Sequence, residues 1–227
     1  MMVKYIMNSD EETIKESILY LNQHKKVFLQ SCTIGINPLP IKEAIFTAGM
    51  SGVGKTELAI FLKEKNPNLL HIDTDEIREF FRSVGYTGQN SYLYQKVASR
   101  GFSELFTYAL KSDLSLIMDS NFANIDVAIQ NIKRLLKKSY KIDILYLYDY
   151  QERCYEYATR RELVTHRKVP KDVFLRSNIN SYRTVLAIKE LFEEKVTLNF
   201  MDKREDDIYN DIGTNFLKNM IGEDFDI

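Results

Sequence analysis

The chain lacks a basic excess. Its 227 residues carry 31 lysines and arginines against 32 aspartates and glutamates, for a net charge of −1. A large nucleic-acid footprint is therefore not indicated, although a local basic patch can sit inside a neutral total. Cysteine is scarce. Cys32 and Cys154 stand in no Cys-x-x-Cys or Cys/His spacing, so neither a zinc ribbon nor a dithiol redox motif is encoded, and a reducing compartment is expected. The three histidines, His24, His71 and His166, show no metal-ligand spacing. No apolar run reaches the roughly 18 residues of a membrane span. The opening "MMVKYIMNSDEET" has no apolar signal-peptide core. The expectation is a soluble cytoplasmic protein without membrane contact. No internal repeat or low-complexity tract is visible.

At 44% hydrophobic residues, the chain can bury a sizeable core. "SDEETIKESILYLNQHKK" opens with Ser9 and Asp10 as cap candidates and places Ile14, Ile18 and Leu21 at helical spacing. It predicts an amphipathic helix over 9–24. "INPLPIKE" then breaks the pattern with two of the four prolines. This divides an N-terminal helical segment, 1–40, from a second domain, 41–227. In that domain short apolar runs at 44–48, 69–73, 114–119, 142–149 and 195–199 alternate with helical patterns. The helical patterns fall near 55–65, 75–82, 90–111, 125–139 and 172–193. Near-continuous apolar strands alternating with helices predict an α/β fold: a three-layer α/β/α sandwich on a mainly parallel sheet of about five strands.

Glycine is scarce too, with nine in the chain, yet three fall in "AGMSGVGKTELA". Gly49-Met50-Ser51-Gly52-Val53-Gly54-Lys55-Thr56 fits the P-loop pattern G-x-x-x-x-G-K-[ST]. A loop whose backbone N–H groups must close around phosphate oxygens needs glycines for close approach and positive φ. The following helix aims its positive end at the phosphates. Lys55 would neutralise β/γ-phosphate charge and Thr56 would offer a hydroxyl to Mg²⁺. The plainer alternative is a glycine turn before a helix. The apolar strand before the motif and the helix former "TELAIFLKEK" after it favour the P-loop.

A kinase also needs a carboxylate to orient the acceptor hydroxyl and take its proton. "LLHIDTDEIREFF" is an apolar strand ending in Asp73-Thr74-Asp75, with Arg78 one helical turn on. Acids just past a strand's C-terminal end lie at the ligand-binding edge of an α/β sheet. Asp75 is the candidate base, and Arg78 a candidate for holding substrate or phosphate. The competing role is a helix cap, which either aspartate could fill. "LSLIMDSNFAN" repeats the pattern: Asp119 stands where a carboxylate positions Mg²⁺ or its water shell, and Asn121 would line the same edge. "ATRRELVTHRKVPKDVF" gathers Arg160, Arg161, Arg167 and Lys168 after the fourth strand. A lid around 155–171 that brings arginines onto the transferring phosphoryl group fits that position; a solvated basic helix face is the alternative.

These segments together resemble the zeta-toxin family of P-loop kinases, within the wider group of phage-type polynucleotide kinases and chloramphenicol phosphotransferases. The resemblance spans about residues 40–195. It rests on "GMSGVGKT", "HIDTDEIR", "SRGFSELFTYAL", "IMDSNFAN" and "RRELVTHRKVPKDVF", in that order. It implies ATP- or GTP-dependent, Mg²⁺-assisted phosphorylation of a sugar hydroxyl on a nucleotide sugar, UDP-N-acetylglucosamine being the best-known acceptor. Asp75 would be the base, Lys55 and Thr56 the phosphate and magnesium residues, Glu104 a substrate-binding acid, and Arg161 and Arg167 the lid arginines. Arg160 could take the place of Arg161. Asp119 stands where the family often has glutamate, and Asn121 where it often has threonine. The resemblance also implies an antitoxin partner. "GYTGQNSYLYQKVASRG" would line the acceptor pocket, where Tyr92 and Tyr94 could stack on a base or else pack on the core. A 5′-hydroxyl polynucleotide kinase shares the Asp75/Arg78 arrangement. A nucleotide-dependent switch is the remaining alternative; "YLYDYQER" occupies the place of a GTPase N-K-x-D motif.

Overall fold

The computed structural model describes residues 9–165 and 170–225. Within them six strands form one sheet: β1 (Glu43–Gly49), β2 (Leu70–Asp73), β3 (Leu116–Asp119), β4 (Lys141–Tyr148), β5 (Thr197–Asp202) and β6 (Asp207–Tyr209). The order across the sheet is β2-β3-β1-β4-β5-β6. The first five strands run parallel, and β6 returns antiparallel to β5. The expected five strands are all present. The sixth is an addition: three exposed or half-buried residues carry no readable alternation.

The helices are α1 (Asp10–Thr33), α2 (Lys55–Lys65), α3 (Thr74–Glu79), α4 (Ser91–Lys111), α5 (Ile125–Lys137), α6 (Gln151–Thr165), α7 (Lys171–Phe192) and α8 (Thr214–Ile221). They flank the sheet on both faces. Successive strand residues point to opposite faces, and the two faces are unequal. Ile117, with half-buried Ile45, packs under Ala59 and Leu62 of α2 in a small cluster. Ala44, Phe46, Leu116, Met118 and Ile144 belong to the main core, with α4, α5 and α7 contributing Phe106, Ile132 and Val185.

Ser9 caps α1 in a reciprocal capping box with Glu12. The helix runs beyond the expected end at residue 24 and bends there, because His24 leaves helical φ/ψ and bonds Tyr20 O through Nδ1 at 3.0 Å. Leu21 and Phe28 of α1 are buried in the main core. The register sets the functional edge. Thr47, Asp73 and Asp119 are direct neighbours across β1, β3 and β2, so three strand ends bring their polar residues to one line.

Candidate active site

The loop between β1 and α2 has the backbone its glycines permit. Gly49, Gly52 and Gly54 hold φ of +126°, +82° and +97°. A Cβ on Gly49 would lie 2.2 Å from the Leu147 carbonyl oxygen, and one on Gly52 at the same distance from that of Cys154. The loop is therefore wedged between β4 and the start of α6. Gly54 caps α2 without a side-chain bond, leaving the first N–H groups of the helix for a ligand. Gly49 N donates to Ser181 Oγ of α7 at 3.0 Å, and Lys203 Nζ, from the β5–β6 turn, donates to Val53 O at 3.0 Å. Lys55 folds over the loop, its Nζ donating to Gly49 O (3.1 Å) and Met50 O (2.6 Å). Burial pushes its ammonium down to about 8, against the pull of the Asp119 carboxylate.

The carboxylates divide their work. Asp73 caps α3, accepting from Asp75 N at 3.0 Å. Burial, with the charges of Asp75 and Asp119, raises it to about 6. Asp75, freed from capping, accepts from Arg78 Nη1 and, at 3.1 Å, from Arg161 Nη2. Asp119 accepts from Thr47 Oγ1 at 2.8 Å and lies 3.5 Å from His71 Nε2. Burial works to raise the Asp119 carboxyl, but the neighbouring His71, Thr56 and Thr47 hold it below the usual carboxylate range. His71 bonds Glu76 through Nδ1 at 3.1 Å. Burial opposes its charge, yet Asp119 and Glu76 lift it to about 9.

These groups meet in a cleft of about 740 Å³. Of the expected residues it brings together Ser51, Gly52, Gly54, Lys55, Thr56, Asp75, Asp119, Asn121 and Arg161. Gly49, Met50 and Val53 shape the loop from behind; the Met50 and Val53 side chains are buried. Arg161 reaches the cleft, whereas Arg160 pairs with Glu156 at 2.6 Å on α6. Arg167, with His166 and Lys168, lies outside the described residues.

Two expected residues, Arg78 and Glu104, are placed differently. Arg78 does not line the cleft. It is 1% exposed, and its guanidinium grips Asp75, Thr74 O and Gln95. Glu104 points away, held by Lys25 of α1 at 2.5 Å. Tyr94 is buried with its hydroxyl on Val84 O, and Tyr92 is exposed away from the cleft lining. From that segment Gln95 enters the cleft instead. Asp149, Arg153, Tyr157 and Lys203 also line it, with Glu57, Asp73, Thr74 and Ser120. Asp149 carries the signal that marked Asp73 and Asp119, an acid ending an apolar strand. Lys203 and Gln95 arrive by tertiary packing.

Among the described residues no cluster of three or more histidine, cysteine, aspartate or glutamate side chains could hold a metal ion. The Thr56 hydroxyl and Asp119 carboxylate, which line the same cleft, fit Mg²⁺ in another way. That hard ion takes one or two protein oxygens and fills its octahedron with phosphate and water. No described helix is long and apolar enough to cross a membrane.

A family profile described as "Zeta toxin" matches residues 35–213. No curated protein matches the chain. Solved structures share its fold. One is from the PezAT chromosomal toxin–antitoxin system of the human pathogen Streptococcus pneumoniae, at 18% identity and TM-score 0.62; the match covers 89% of this chain and 81% of that one. Another is the AvrRxo1-ORF1:-ORF2 complex with ATP, at 11% identity and TM-score 0.60, covering 88% and 66%. The profile spans well over half of the chain, and the protein belongs to the zeta-toxin family, with a P-loop kinase fold.

Proposed function

We propose that this protein is a phosphotransferase that moves the γ-phosphoryl group of ATP or GTP onto a hydroxyl of a small acceptor, a nucleotide sugar such as UDP-N-acetylglucosamine. One observation carries the reading: Asp75 and Arg161, on separate elements, meet in the same cleft as the Lys55 loop. The loop N–H groups and Lys55 bind the β- and γ-phosphates. Asp75 orients the acceptor hydroxyl for in-line attack on the γ-phosphorus and takes its proton. The bond from the γ-phosphorus to the bridging oxygen breaks, the bond to the acceptor oxygen forms, and the nucleoside diphosphate leaves. Arg161, on the lid helix, stabilises charge on the phosphoryl oxygens in transfer. Thr56 and Asp119 would hold Mg²⁺, which supplies charge neutralisation across the β- and γ-phosphates. Arg167 joins Arg161 in this proposal as a second lid arginine. Positioning and electrostatics do the work, with no covalent enzyme intermediate. The family suggests an antitoxin as the protein partner.

The test incubates the protein with Mg²⁺ and γ-labelled ATP, with UDP-N-acetylglucosamine, an RNA bearing a free 5′-hydroxyl, or no acceptor. Label on the sugar nucleotide supports the reading. Label on RNA alone replaces the acceptor with a polynucleotide, and release of phosphate without any labelled acceptor removes the phosphotransferase assignment.

A further inference from the structure

Gln95 stands on the first turns of α4, beside the candidate base. Its Oε1 accepts from Nη2 of Arg78, while Nη1 of the same guanidinium donates to Asp75. Arg78 is 1% exposed and its Nη1 also reaches Thr74 O at 3.3 Å. One buried fork thus holds a carboxylate and a carboxamide side by side, and both line the cleft.

Donor chemistry fixes which way the amide faces. A guanidinium has N–H donors and no acceptor. Gln95 must therefore turn its oxygen to Arg78 and its NH₂ away. Among the described residues Nε2 meets Ser99 Oγ, at 3.3 Å. An amide nitrogen carries two protons, so one remains to donate into the cleft. Next to Asp75, which accepts, the wall presents a donor.

We propose that Gln95 reads the acceptor, donating Nε2–H to the oxygen beside the hydroxyl that Asp75 deprotonates, with Arg78 positioning both groups. The ligand class is a polyol-type acceptor with neighbouring oxygens. This rests on the phosphotransferase reading and narrows its acceptor. A carboxylate at 95 would keep, and strengthen, the bond to Arg78 while removing the donor.

The test compares wild type with Gln95→Glu, using whichever acceptor takes label from ATP, together with a deoxy analogue lacking the neighbouring oxygen. Affinity for a non-hydrolysable ATP analogue and the thermal midpoint are measured alongside. The expected result is an acceptor KM raised about tenfold or more in Gln95→Glu, with nucleotide affinity and midpoint unchanged. The deoxy analogue should be weak for wild type and no weaker for the variant. Arg78→Lys, unable to span both partners, should lower kcat and raise the acceptor KM together. An acceptor KM within twofold of wild type in Gln95→Glu overturns the proposal, as does a fall in kcat alone, which would leave Gln95 a support for Asp75. If no acceptor takes label from wild-type protein, it is the phosphotransferase reading that fails.

Discussion

Arg161 Nη2 lies 3.1 Å from Asp75 Oδ2, joining residues 86 apart in sequence across the cleft. The pair links α6 to the start of α3, and each partner has a second task in the proposed reaction. Asp75 must accept a proton and Arg161 must meet phosphoryl oxygens. In the proposed reaction an arriving triphosphate would compete with Asp75 for Arg161, while the Arg78 contact to Asp75 stays in place.

Arg161→Ala should therefore lower phosphoryl transfer by about 10²-fold or more. Its side chain is half exposed, so the thermal midpoint should move little. Arg160→Ala, which removes the exposed pair with Glu156 and a loose contact over the Tyr157 ring, is the control and should transfer at nearly the wild-type rate. Initial rates with labelled ATP decide it; equal losses in the two variants would remove Arg161 from the site.

Gly52→Ala tests the loop. The residue holds φ of +82°, and a Cβ would meet the Cys154 carbonyl oxygen at 2.2 Å and Ala158 N at 3.0 Å. Gly35→Ala shares the positive φ, +76°, with nothing within 4 Å. The φ strain of about 1–2 kcal/mol is common to both. The clash belongs to Gly52 and displaces α6 with Arg161. The expectation is a modest drop in thermal midpoint for Gly35→Ala, and for Gly52→Ala a larger drop with nucleotide binding lost. Similar midpoints and retained binding would contradict this geometry.

Much of this was legible beforehand, for a physical reason. Buried parallel strands are apolar runs, and acids at their ends mark the ligand edge, so β1 to β5, Asp73, Asp75 and Asp119 could be read directly. The two aspartates after β2 could not be told apart by spacing; cap geometry separated them. Arg78 illustrates the limit: one helical turn from Asp75, a side chain can face cleft or core, and only packing of α3 on α4 buries it. Gln95 and Lys203 carry no motif because distant elements deliver them. Glu104 was placed by resemblance, and the position of α1, with Lys25 upon it, assigns that carboxylate another partner.

Asp73 should make stability depend on pH. Its carboxyl is raised from 3.8 to about 6 by burial and the neighbouring acids. A raised acid favours folding while protonated and loses that contribution as pH rises through the folded value. Asp73→Asn keeps a good cap and removes the charge. In metal-free buffer the variant should match wild type near pH 4 and exceed it at pH 8, by at most about 3 kcal/mol. Thermal melts across that range check the sign; a variant less stable at pH 8 would contradict it.

The central claim is that Asp75 accepts the proton of the acceptor hydroxyl. The most direct measurement is label transfer from ATP by Asp75→Asn beside wild type, with nucleotide affinity determined on the same samples. Asparagine keeps the shape and cannot take the proton. The account expects transfer to fall by about 10²–10⁴-fold with nucleotide affinity within about threefold of wild type. Transfer at the wild-type rate by Asp75→Asn would contradict it.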